Sequence, residues 1–179
     1  MLLTHGAGSD SSHPTLVALE EGVELPVRRF DMPYRLEGRR VPDPPSRAVS
    51  WVFEQVGEFA SELGVDTRRL IVGGRSYGGR MCSLAVADGL AVAGLVLLSY
   101  PLHSPGRPDR SRCDHFDRIA VPTLFVSGDA DPFATPQELS EAAGTLAGTA
   151  EVVIVPGEHD PKESTTSVVQ AVRRWLEHL

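Results

Sequence analysis

Arg69-Leu-Ile-Val-Gly-Gly-Arg-Ser-Tyr-Gly-Gly-Arg80 decides how the rest of the chain is read. Leu70, Ile71 and Val72 form a short apolar run that reads as a buried strand, and residues 81–87 read as a helix. Between them, Gly74-Arg-Ser-Tyr-Gly78 is a G-x-S-x-G pattern at a strand-to-helix turn. Such a turn forces its serine into a strained, exposed position where the hydroxyl can attack. Small residues are needed two before and two after it, because the strand and helix backbones nearly touch there. The pentapeptide alone is weakly specific, but the strand before it and the helix after it make it much stronger.

Outward from this turn, strands and helices alternate. Upstream, residues 1–4 read as the end of a buried strand running into His5-Gly-Ala-Gly-Ser9. Pro14 suits a first helical position, and a short helix follows to about Glu21. Residues 24–30 read as a strand, and the Pro-, Arg- and Gly-rich residues 31–45 as a loop. Val49, Val52, Phe53, Val56, Phe59, Ala60 and Leu63 then share one helical face, closed by Gly64. Downstream, strands are expected at 92–99, 121–127 and 151–155, and a polar loop at 100–117. A helix is expected at 136–146, and a terminal helix carries Val168, Val169, Val172, Trp175, Leu176 and Leu179 on one face. The alternation predicts an α/β fold. It is a three-layer sandwich with a mostly parallel sheet of about six strands and helices on both faces, built as one domain over residues 1–179.

Bulk composition narrows the partners. The 179 residues suffice for one domain with a sizeable core, and 41% hydrophobic with 23% charged residues is ordinary for a globular protein. A net charge of −7 argues against nucleic acid, which needs a net basic face. Cys82 and Cys113 make neither a disulfide framework nor a metal-ligand spacing, and Cys82 reads as buried core. Neither a membrane-length apolar run nor a signal-peptide pattern is seen. A cytoplasmic setting is expected.

In parallel sheets the chemistry lies just beyond the carboxyl ends of the strands. Gly128-Asp-Ala-Asp-Pro132 follows one strand there, and Pro156-Gly-Glu-His-Asp160 follows another. With Ser76 these supply a serine, an acid and a histidine in the order Ser, Asp, His. Serine is a poor nucleophile unless a base lies within hydrogen-bond reach. His159 is the candidate base, and an aspartate would hold its tautomer and stabilise the imidazolium. Asp131 is preferred for that role; Asp129, which follows the strand almost at once, more often makes a turn hydrogen bond. An oxyanion needs two backbone donors. The Tyr77 amide is one, and the His5-Gly-Ala-Gly8 loop offers Ala7 as the other, with Gly8 as its rival.

These pieces resemble the α/β-hydrolase superfamily over nearly the whole chain. More narrowly, the chain looks dienelactone-hydrolase-like, and most like the testis-expressed protein 30 and KANSL3 α/β-hydrolase-like family. The resemblance is carried by Leu3-Thr-His-Gly-Ala-Gly8, Arg29-Phe-Asp-Met-Pro-Tyr34, Gly74-Arg-Ser-Tyr-Gly-Gly79, Gly128-Asp-Ala-Asp131, Tyr100-Pro-Leu-His103 and His159. It implies the fold and a triad, not a substrate. The chain departs from the superfamily in starting inside what would be its third strand, so either the assigned start is expected to lie downstream of the native one or the chain is expected to be trimmed. Without further strands, residues 24–30 become an exposed edge strand. Only residues 100–117 leave room for a lid, so an open site without a cap is predicted.

The resulting expectation is an esterase-type serine hydrolase with Ser76, His159 and Asp131 as triad and Ala7 and Tyr77 as oxyanion donors. No metal or cofactor is implied. The partner expected is a small-molecule acyl substrate; a homodimer is allowed, and neither nucleic acid nor membrane is expected. The alternative is a catalytically silent scaffold that binds a protein partner. His5 reads as a structural residue of the oxyanion loop, His103 as either pocket-lining or exposed, and His13, His115 and His178 as solvent-facing. Arg75 is expected to turn inward and pair with an acid. The arginines of residues 28–40 are expected to belong to a solvated loop of mixed charge.

Overall fold

The computed structural model describes all 179 residues. In chain order it contains β1 (Leu2–Thr4), α1 (Pro14–Gly22), β2 (Arg28–Phe30), α2 (Pro33–Leu36), α3 (Pro45–Leu63) and β3 (Ile71–Arg75). Then follow α4 (Tyr77–Ala87), β4 (Gly94–Leu98), β5 (Thr123–Gly128), α5 (Pro136–Ala143), β6 (Ala150–Val155) and α6 (Thr165–Leu176). The strands form one sheet in the order β2-β1-β3-β4-β5-β6, and every neighbouring pair is parallel. The expected α/β/α sandwich is the observed fold.

The apolar strand runs are explained by the two layers that cover them. Successive side chains of a strand point to opposite faces. Accordingly Leu95 and Leu97 of β4 join a core formed with α3, α4 and α5, while Val96 and Leu98 join one formed with α1 and α6. On β5, Phe125 faces the first core and Leu124 and Val126 the second. A strand buried on both faces has no polar side to show, so it reads as a continuous apolar run rather than an alternation.

Helix ends follow local chemistry. Pro14, Pro45 and Pro136 each sit in a first turn, where the missing N–H costs nothing. Gly64 ends α3 at φ 63°, a left-handed cap that favours glycine. Thr135 and Glu138 form a reciprocal capping box on α5.

Several boundaries differ from the sequence reading. The strand expected at 24–30 pairs only over Arg28–Phe30, at one edge of the sheet. The loop expected at 31–45 contains α2, begun by Pro33 and held by the buried Asp43 carboxylate, which accepts from the Tyr34 N–H at 2.8 Å. The helix expected to reach residue 146 stops at Ala143, short of Gly144. Phe53 and Leu63 lie exposed at the margin of the α3 face, where Ala48 is buried instead, and Leu179 is exposed beyond α6. The segment 100–117 is not simply a polar loop: Tyr100, Leu102 and Phe116 are buried, and Phe116–Arg118 forms a 3-10 turn. No helical cap is inserted between β4 and β5. No helix is long and apolar enough to cross a membrane.

Candidate active site

The chain runs from β1 outward to β2 on one side and from β3 outward on the other, so the crevice where strand order reverses lies at the carboxyl ends of β1 and β3. Ser76 follows β3 there, with φ 51° and ψ −117°. Its N–H donates to Leu98 O at 2.8 Å, which ties the turn to the end of β4. The neighbouring glycines make the turn possible. A Cβ on Gly74 would stand 2.6 Å from Thr4 O, one on Gly79 would stand 2.6 Å from Gly74 O, and one on Gly78 would collide with His5 O.

The three candidate side chains meet. Ser76 Oγ lies 2.8 Å from His159 Nε2, and His159 Nδ1 lies 2.8 Å and 2.9 Å from the two Asp131 carboxylate oxygens. The carboxylate can only accept, so Nδ1 carries the proton and Nε2 is left to accept from the Ser76 hydroxyl. Asp131 is 4% exposed and also accepts from the Phe133 N–H at 2.9 Å and from Ser127 Oγ at 3.2 Å. Asp129 plays the other role: its Oδ1 accepts from the Gly157 N–H at 2.9 Å and so closes the histidine loop. Gly128 lets that loop pass, since a Cβ there would collide with Gly157 O.

Two residues that the sequence reading did not place in the site support the histidine. The Phe133 ring packs on the His159 ring with centroids 4.1 Å apart and planes at 34°. The only sequence signal for it was its position two residues after Asp131. Arg75, expected to turn inward onto an acid, does so: it is buried, and its guanidinium lies 3.4 Å from Asp160. It also donates to the main-chain oxygen of His159 at 2.9 Å, a contact that no spacing rule could reveal.

The loop after β1 is fixed by His5, which is fully buried. His5 Nδ1 donates to Gly6 O at 2.8 Å, and its Nε2 accepts from the Met32 N–H at 3.0 Å. Both ring nitrogens are thus used structurally. Burial lowers the His5 pKa, which keeps this tautomer neutral. Gly6 O also accepts from the Ser9 N–H. In a trans peptide the C=O and the following N–H point to opposite sides, so the Ala7 N–H is turned away from this cluster. The Tyr34 hydroxyl lies against the same loop and donates to Gly6 O at 3.5 Å. The Tyr77 N–H opens α4 and has no acceptor within the helix. Gly6 lies against the nucleophile turn: a Cβ there would stand 3.3 Å from Ser76 Cβ and 3.1 Å from Arg75 Nη1.

Of the other candidates, His103 is buried beside the site rather than exposed. Its N–H donates to Phe133 O at 3.2 Å and its Nε2 lies 3.4 Å from Glu138. His13 and His115 do not face solvent as expected. His13 caps α1 and lies 3.4 Å from Asp160, and His115 is buried against Ser83 at 2.8 Å. The arginines before α3 are charge-balanced as expected: Arg28 pairs with Glu62, Arg29 with Glu20, Arg35 with Asp10, and Arg39 with Glu37 and Asp43. Ser76 and His159 are partly exposed, and Asp131 is buried beneath them. Hollows of about 250 Å³ beside Val23 and Leu176 and about 370 Å³ beside Leu36 and Trp51 lie away from it.

A family model described as "Alpha/beta hydrolase domain" matches residues 1–177. Among solved structures, the chain is similar to Est1E from Butyrivibrio proteoclasticus with bound ferulic acid, at 19% identity and a TM-score of 0.79, covering 99% of this chain and 87% of that one. A dienelactone hydrolase from Anabaena variabilis matches at 20% identity and a TM-score of 0.77, over 99% and 84% of the two chains. An alpha-beta serine hydrolase homologue from Coxiella burnetii matches at 16% identity and a TM-score of 0.80, over 98% and 84%.

Proposed function

Because the chain belongs to the alpha/beta hydrolase domain family, we propose that it is a serine hydrolase that cleaves acyl esters (carboxylesters, thioesters or lactones) through an acyl-enzyme. The observation that carries this reading is the continuous hydrogen-bonded line Ser76 Oγ to His159 Nε2, His159 Nδ1 to Asp131. In this reading Ser76 Oγ attacks the acyl carbonyl while His159 Nε2 takes its proton. The carbonyl electrons collect on oxygen as the tetrahedral intermediate forms, and the Tyr77 and Ala7 N–H groups receive that charge. Asp131 stabilises the imidazolium without taking its proton. His159 then protonates the leaving alkoxide or thiolate. A water molecule, deprotonated by the same nitrogen, releases the acid and restores Ser76.

The open site and the absence of a cap support small or surface-presented esters as substrates. The dienelactone hydrolase and Est1E likenesses are compatible with such chemistry, although at these identities they speak for the fold. The narrower kinship to the testis-expressed protein 30 group rests on the sequence stretches alone. A silent scaffold is the weaker reading, because a scaffold gains nothing from a strained serine aimed at a base.

Stopped-flow hydrolysis of 4-nitrophenyl acetate and butyrate tests the proposal. The expected trace is a burst of nitrophenol equal to the enzyme concentration followed by slower turnover, lost in Ser76→Ala. A folded wild-type protein with no hydrolysis above that of Ser76→Ala contradicts it.

A further inference from the structure

A second constellation lies one helical turn beyond the candidate nucleophile. Arg80 follows Ser76 by four residues on α4, about 6 Å along the helix axis. Residues four apart on a helix share a face, so Arg80 lies on the side of α4 that carries Ser76 at its start. Most arginines of this chain with a nearby acid use it, Arg75 on Asp160 and Arg118 on Asp88 among them. Arg80 makes no ion pair and no side-chain hydrogen bond, and its Nε is shut off from solvent without an acceptor.

Arg80 lines a surface pocket of about 220 Å³ together with Leu84, Ser111, Arg112, Asp114, His115 and Arg118. Three guanidiniums thus line the pocket with one carboxylate, Asp114, which makes no ion pair with any of them; Arg118 also reaches Asp88 outside the pocket, and the chain's net charge is −7. Arg112 is held from the other side, through Ser104 Oγ at 2.7 Å. His115 adds no charge at neutral pH. Burial and the neighbouring Arg80 and Arg118 push its pKa down to about 4. Ser83 Oγ donates to Arg80 O, so it accepts from His115 Nε2–H, which fixes the Nε2–H tautomer of the neutral ring. Arg80 and Arg112 have no carboxylate partner, and like charges placed together are unfavourable unless an anion joins them.

We propose that Arg80, Arg112 and Arg118 form an oxyanion subsite that takes a carboxylate or phosphate group. Two sources supply that chemistry: a second, acidic group on the ester substrate, or a free anion. The first source rests on the serine-hydrolase reading above; the pocket itself does not.

The test has two arms. In the first, calorimetric titration of the full chain with inorganic phosphate and with glutarate, beside Arg80→Gln and Arg112→Gln, measures the pocket without any catalysis. Saturable binding of at least one probe is expected, weakened at least about tenfold by either substitution with Tm unchanged. No binding of either probe, or binding that survives both substitutions, overturns the subsite. In the second arm, kcat/KM is compared for 4-nitrophenyl hydrogen glutarate and 4-nitrophenyl butyrate. A preference for the charged ester that falls about tenfold in Arg80→Gln assigns the site to the substrate's own group. Arginine-dependent binding with no such preference assigns it to a free anion. If wild-type protein cleaves neither ester, the Ser76 reading has failed and the titration still decides the pocket.

Discussion

Ser76 sits at a positive φ that costs a residue with a Cβ about 1–3 kcal/mol. That strain is sustained by neighbours that leave no other path for the chain: the Ser76 N–H on Leu98 O, and glycines at 74, 78 and 79. The two aspartates after β5 divide the work by position. Asp131→Asn should leave the fold intact but present the wrong group to His159 Nδ1, lowering kcat by about 10³–10⁴. Asp129→Asn, which touches only the Gly157 N–H, should lower it less than about tenfold. Steady-state kinetics on one ester decides, and equal losses contradict the assignment. Arg75 is a positioning residue, since it reaches His159 only through the main-chain oxygen. Arg75→Met should reduce kcat by about 10–100-fold with little change in KM, because a small displacement of the base costs rate rather than binding. A change confined to KM would place Arg75 in substrate binding instead.

Elements were legible where period and end signals agreed. The face of α3 followed from its apolar spacing and Gly64, and the inner strands from uninterrupted apolar runs. The reading failed at α2, because four residues give no period and the buried Asp43 that holds them is nine positions from its Tyr34 partner. It overran β2, because apolar residues near a sheet edge can pack without pairing: Leu25 and Val27 lie half-buried against the second core yet fall outside the strand. Two glycines test the packing of these elements with opposite signs. Gly57 is inside α3 with open space around its Cβ position, so Gly57→Ala should stabilise by about 0.5–1 kcal/mol. Gly78 faces the β1 backbone, so Gly78→Ala should destabilise by about 1–3 kcal/mol, roughly 2–12 °C in Tm for a chain of this length. Thermal melts check both, and a neutral Gly78→Ala would contradict the close approach of α4 to the loop after β1.

At the scale of the molecule, the two cores clamp the sheet from both sides, and the topology brings loops 71 residues apart, at His5 and Ser76, into one crevice with His159. The order of the triad was legible because each member follows a strand. The burial of His115 was not, because nothing in residues 100–117 announces that Phe116 carries its neighbour into the core against Ser83. That burial has a pH consequence. His5, His13 and His115 all have pKa values lowered chiefly by burial, to about 4 for His115. The unfolded chain takes up protons near pH 6.5 while the folded one does not. Their contribution to stability is therefore full above that pH and is lost as pH falls through the folded values. Urea midpoints should fall between pH 6.5 and 4, and less steeply in His115→Gln; identical slopes would contradict the account of His115.

The central claim is that Ser76 is an activated nucleophile. Intact mass spectrometry after incubation with a fluorophosphonate measures it most directly, with Ser76→Ala alongside. The account predicts a single adduct on the wild-type protein, mapped to the Ser76 peptide and absent from the variant. A folded wild-type protein that gains no mass, or one labelled equally in Ser76→Ala, would contradict it.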